Sequence, residues 1–172
     1  MKKVILVVAL AALLAPLAAL ADNAPTPAQT ANQMCAAEKA QMGADAFKQA
    51  YGTNANKSNA WGKCVSGKAK AAHAAVQNAA QTCAAEQAQD AAAFAGKYGT
   101  TQKGKGADKN AMGKCVSGKV HAAVTTDAKN VAKAAKTCKS DMKANAAAFV
   151  SKWGGKKANA FGKCASATSK TK

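Results

Sequence analysis

The sequence predicts an all-α protein: three disulfide-stapled helical repeats joined by long alanine-rich connecting helices. Three observations lead to this class. One cysteine-bracketed pattern occurs three times; alanine is abundant, while arginine, leucine and isoleucine do not occur after Leu20; and 6 cysteines punctuate the chain. Alanine is the best helix former because it loses no side-chain entropy on entering a helix. With few large aliphatic residues and a formal charge of +17, composition alone would point to disorder; alanine's helix preference and cross-links between cysteines oppose it.

At the N-terminus, Lys2 and Lys3 precede an apolar run from Val4 to Leu20 that ends in Ala19-Leu20-Ala21. This is the pattern of a secretory signal peptide over residues 1–21, cleaved near Ala21. The run is short for a membrane span, and no transmembrane segment is expected after cleavage. The expected compartment is therefore secreted, or periplasmic and associated with the cell envelope. Residues 22–30, with Asp22, Asn23, Pro25 and Pro27, read as a disordered leader.

The copies follow. Residues 31–82 hold the first repeat and its connecting helix, 83–137 the second, and 138–172 the third with a tail. The first copy runs from Cys35 through Phe47, Tyr51 and Gly52 to Asn59-Ala60-Trp61-Gly62-Lys63-Cys64. The second runs from Cys83 through Phe94, Tyr98 and Gly99 to Asn110-Ala111-Met112-Gly113-Lys114-Cys115. The third runs from Cys138 through Phe149, Trp153 and Gly154 to Asn159-Ala160-Phe161-Gly162-Lys163-Cys164. In these residues the chain resembles a group of uncharacterised secreted bacterial proteins whose repeats have the form AF-x3-YGTN followed by NAFGKCVS. The first copy matches best, with Ala46-Phe47, Tyr51-Gly52-Thr53-Asn54 and Asn59 to Ser66. The resemblance implies secretion and repetition and carries no functional residues across. The third copy departs from the pattern at Gly155 and Ala165, which suits a terminal cap.

Within each copy the two rings stand four residues apart and share one helix face. The glycine that follows, Gly52, Gly99 or Gly154, is placed to end the helix in a left-handed conformation. Gly43-Ala44-Asp45 and Gln89-Asp90-Ala91 mark an earlier break that starts the aromatic segment. Residues 65–82 and 116–137 contain no proline and read as long connecting helices. In the first of these, Val65, Ala69, Ala72, Val76, Ala79 and Cys83 form a narrow seam of mostly small side chains. The scarce rings, including Trp61 and Phe161, and Met112 are the expected core material.

Six cysteines allow 15 pairings. If residues 65–82 are one helix, Cys64 and Cys83 lie roughly 28 Å apart, far beyond the about 7 Å that a disulfide spans. The pairing that treats all copies alike is Cys35 with Cys64, Cys83 with Cys115 and Cys138 with Cys164. Closely spaced cysteine pairs of the zinc or redox kind do not occur.

Catalytic and cofactor motifs are weak. Gly62 to Lys68 and Gly113 to Lys119 match a phosphate-binding G-x4-G-K, but Ala69 and Val120 stand where a magnesium-binding hydroxyl is required. His73 and His121 have no partners at helical spacing. Glu38, Glu86 and Asp141 each follow the first cysteine of a copy by three positions and are expected to meet Lys63, Lys114 and Lys163 beside the second cysteine. No catalytic, cofactor or metal residue is assigned, and an enzyme is not expected.

Charge remains as the functional signal. Lysine supplies all the positive charge after the signal segment, as point charges without the planar fork of arginine. Candidate polyanion contacts are Lys63, Lys68, Lys103, Lys105, Lys114, Lys119, Lys156, Lys157 and Lys163. The expected partners are anionic cell-envelope polymers or extracellular nucleic acid, bound without sequence specificity. A cationic membrane-active protein and a structural spacer are the alternatives.

Overall fold

A computed structural model describes residues 24–99 and 110–169. The signal segment, Lys103 and Lys105 lie outside the described residues. Seven helices form within them: α1 (Pro27–Met42), α2 (Ala44–Tyr51), α3 (Ala60–Gln89), α4 (Ala91–Tyr98), α5 (Ala111–Ala144), α6 (Ala146–Trp153) and α7 (Lys157–Thr168). The class is all-α.

The connecting helices are longer than the inter-cysteine segments. α3 carries both Cys64 and Cys83 within 30 residues, and α5 carries Cys115 and Cys138 within 34. Each disulfide therefore joins the two helices that flank an eight-residue aromatic helix. The bonds are Cys35–Cys64, Cys83–Cys115 and Cys138–Cys164, with Cα atoms 6.0 Å apart in each. Loop-closure entropy makes each worth about 3.5 kcal/mol.

The short helices start as their sequences dictate. The Asp90 side chain accepts from the Ala93 N–H at 2.9 Å, and Asn145 does the same for Ala148. α1 begins earlier than expected. Thr26 and Gln29 form a reciprocal capping box around Pro27, which stands at the first helical position and needs no N–H partner. The segment read as a leader through residue 30 thus becomes helix at Pro27.

The glycines after the aromatic pairs act differently from expectation. Gly52 and Gly99 have φ of −69° and −67°, so a left-handed residue does not close α2 or α4; Gly154, at 74°, does so for α6. Gly52 is needed for space, because a Cβ there would lie 2.6 Å from the Lys48 carbonyl oxygen and 2.6 Å from the Lys57 Cβ.

Two apolar clusters form the core. One gathers Met34, Val76, Phe94, Val116, Val120 and Val124 around Cys83 and Cys115. The other gathers Met42, Phe47, Val131 and Phe149 around the other two disulfides. The α3 seam is shifted from the expected register. Ala72, Val76, Ala79 and Cys83 are buried, but toward the N-terminus the buried line runs through Lys68 and Cys64, while Ala69 is exposed. The Cys35–Cys64 bond fixes which side of α3 faces inward, and Lys68 follows Cys64 by four residues on that side. Trp61 is 40% exposed and so lies outside the core; Met112 and Phe161 are half-buried.

The copies pack against each other. α1 lies along both α3 and α5, and α7 lies against α2 and α5. The third copy therefore folds back on the first instead of capping a linear stack. At that contact a Cβ on Gly162 would lie 2.7 Å from the Ala50 nitrogen, so two helix backbones nearly touch.

Candidate functional site

The disulfides bring charged residues together as well as helices. Glu38 stands one turn beyond Cys35 on α1, and Lys68 one turn beyond Cys64 on α3. Linking the cysteines places the carboxylate against the ammonium, and the two form an ion pair with side chains 1% and 11% exposed. Tyr51, one turn beyond Phe47 on α2, donates its hydroxyl to the other Glu38 oxygen. Asp127 on α5 grips Lys68 with both oxygens, at 3.1 and 3.0 Å. Four helices thus meet at one buried polar cluster.

Two groups in this cluster titrate away from their ordinary values. Burial opposes the Lys68 charge, but hydrogen bonding and attraction from Glu38, then Asp127, outweigh it and raise the ammonium above 10.5. Burial, then the Glu38 carboxylate, raise the Tyr51 hydroxyl well above 10.

The second copy repeats the arrangement closer to solvent. Tyr98 donates to Glu86 at 2.9 Å, Lys119 donates to the other Glu86 oxygen at 2.6 Å, and Lys97 lies 3.6 Å away. Hydrogen bonds from Lys119, then Tyr98, pull the Glu86 carboxyl down to about 2. In the third copy all three members differ: Asp141, Trp153 and Thr168 occupy the corresponding positions. The Thr168 hydroxyl lies 3.9 Å from both sulfurs of the Cys138–Cys164 bond, and Asp141 is exposed.

These contacts correct the expected pairing. Lys63, Lys114 and Lys163 are exposed, and Glu38 and Glu86 bind Lys68 and Lys119 instead. A lysine directly before a cysteine is rotated about 100° from it around the helix, whereas one four residues later shares its face. Among the candidate polyanion contacts, Lys68 is therefore withdrawn from solvent and Lys119 is engaged with Glu86. Lys63, Lys114, Lys156 and Lys163 stay exposed. The backbone of Lys157 opens α7. The sequence reading missed Tyr51, Tyr98 and Asp127. The joint replacement of tyrosine, glutamate and lysine in the third copy is the signal that points to the first two.

The remaining motifs take plain positions. Gly62 to Lys68 lies wholly within α3, and Gly113 to Lys119 within α5, so neither forms a phosphate-cradling loop. His73 and His121 are exposed. Among the described residues no three His, Cys, Asp or Glu side chains gather in a metal-binding group, and no helix is long and apolar enough to cross a membrane. No protein family, curated protein or solved structure matches this chain.

Proposed function

We propose that the protein is a secreted, non-enzymatic, strongly cationic repeat protein that binds anionic envelope or extracellular polymers by salt-sensitive electrostatics. The observation that carries this reading is the use made of the acids. Glu38 and Asp127 neutralise the buried Lys68, Glu86 is held by Lys119 and Lys97, and Asp90 caps a helix. Most lysines are exposed and outnumber the carboxylates of this chain, 25 Lys and Arg against 8 acids overall. Such a surface attracts polyanions without a shaped pocket, and copies held on one stapled frame can engage a long polymer at several points.

Membrane insertion fits less well, since it requires a broad apolar face. Among the described residues, Trp61 is the exposed large hydrophobic side chain. The test is retention of the oxidised protein on double-stranded DNA and on purified envelope polymer, eluted with a salt gradient. Log affinity for DNA should fall linearly with log salt, with a slope of about −0.9 per phosphate neutralised. Retention indifferent to salt would overturn the proposal.

A further inference from the structure

The third copy differs from the first at one aromatic contact. In the first, Trp61 donates its indole N–H to the Asn32 amide oxygen at 3.0 Å. The corresponding residues in the third copy are Phe161 and Ala135, a smaller ring and a methyl group with no polar atom between them. A groove of about 460 Å³ opens there between α1, α5 and α7. Its apolar lining includes Met42, Ala135, Met142 and Phe161, and the exposed Lys136 and Lys139 stand at its rim.

This volume lies within the roughly 300–1,000 Å³ of small-molecule sites. Methionine side chains adapt to irregular apolar shapes. Lys136 and Lys139, three residues apart, present two ammonium groups on one face of α5. A second apolar groove, beside Trp61 and Val65, has no charged residue in its lining and nothing that selects an occupant.

We propose that the groove at Phe161 binds a free single-chain anionic amphiphile, a long-chain carboxylate, with its tail over Met42 and Met142 and its headgroup between Lys136 and Lys139. A bare anion would leave the apolar floor unused, and a cationic amphiphile would meet both lysines. A bilayer is disfavoured because the floor is recessed: Met42 and Ala135 are each 9% exposed. The site is independent of polymer binding, which needs lysines over the whole surface and no groove.

The experiment is a titration of the oxidised, methionine-methyl-labelled protein with decanoate below its micelle concentration, followed by NMR. The Met42 and Met142 methyl signals should shift saturably while Met34, buried in the other cluster, stays in place. Octanoate should bind about fifteen-fold more weakly, at roughly fourfold per methylene. Lys136→Glu with Lys139→Glu should weaken decanoate binding about tenfold or more. The control pair Lys129→Glu with Lys133→Glu changes net charge equally on exposed positions outside the groove lining and should weaken it far less. Equal loss in both double variants, equal binding of decyltrimethylammonium, or the absence of saturable shifts would each overturn the proposal. So would shifts produced by phosphatidylglycerol vesicles but not by monomeric decanoate, which would assign the groove to a membrane surface. Loss of polymer retention would leave this result untouched.

Discussion

Replacing Lys68 by methionine tests the centre of the fold directly. The substitution keeps the long aliphatic stem and removes the charge. Asp127, 26% exposed at its side chain, can return to water, but Glu38 at 1% cannot. Its carboxylate keeps the Tyr51 hydroxyl and loses its counter-ion. Removing one partner of a buried pair typically costs about 3–5 kcal/mol. The retained tyrosine hydrogen bond places this case near about 3 kcal/mol. Against a total stability of about 5–15 kcal/mol for an ordinary domain, that is a large fraction.

The assay is urea denaturation of the oxidised protein, followed by the fluorescence of Trp61 and Trp153. Lys63→Met serves as the comparison, because Lys63 is exposed and such substitutions usually change stability by less than about 0.5 kcal/mol. Adding Glu38→Gln to Lys68→Met should recover part of the loss, since the double variant no longer buries an uncompensated charge. A cost below about 1 kcal/mol for Lys68→Met, or an equal cost for Lys63→Met, would refute the placement of the pair.

The same cluster sets an alkaline limit. Lys68 and Tyr51 both have folded values raised above their unfolded ones, so their contribution is complete below about pH 10 and is lost as pH climbs through the folded values. The denaturation midpoint should decline above about pH 10, and less steeply in Lys68→Met; a flat wild-type profile to pH 12 would contradict this. Gly162→Ala should destabilise by about 1–3 kcal/mol, because its Cβ would press on the backbone of Ala50. Gly62→Ala meets nothing within 4 Å and should be neutral or stabilising by up to about 1 kcal/mol, so matching melting curves for the two variants would disprove the close helix approach. Reducing the three disulfides should abolish cooperative unfolding while leaving some helical circular dichroism; a reduced protein melting at an unshifted temperature would show that the staples are dispensable.

The helical class was legible from local chemistry, and the cysteine pairing from treating the three copies alike, with one length argument that excluded Cys64–Cys83. Alanine favours helix, and a helix rising about 1.5 Å per residue separates Cys64 from Cys83. The helix starts at Asp90 and near Gly43 were legible for the same local reason. What failed was adjacency used in place of helical geometry. Lys63 looked like the partner of Glu38 because it neighbours Cys64, yet the i+4 position, Lys68, shares the cysteine's face. The start of α1 was present in Thr26-Pro27-Ala28-Gln29, where the proline content suggested a leader and the capping box decided otherwise. Asp127 was not legible, because it reaches Lys68 from 59 residues away on α5.

The differences among the copies match the third to the first. Tyrosine, glutamate and lysine form the polar cluster in the first two copies and are all replaced in the third. What the third copy contributes instead is α7, whose Gly162 receives the backbone of α2 at Ala46 and Ala50. The position of Ala50, three residues after the phenylalanine, is Lys97 in α4 and Lys152 in α6. Both copies thus carry a long charged side chain on the residue whose counterpart in α2 meets Gly162 with its backbone. Gly162 packs on α2, so the third copy meets the first at the one aromatic helix with alanine at this position. The first and third copies are thus joined through α2 against α7 and α1 against α5, in place of a linear stack.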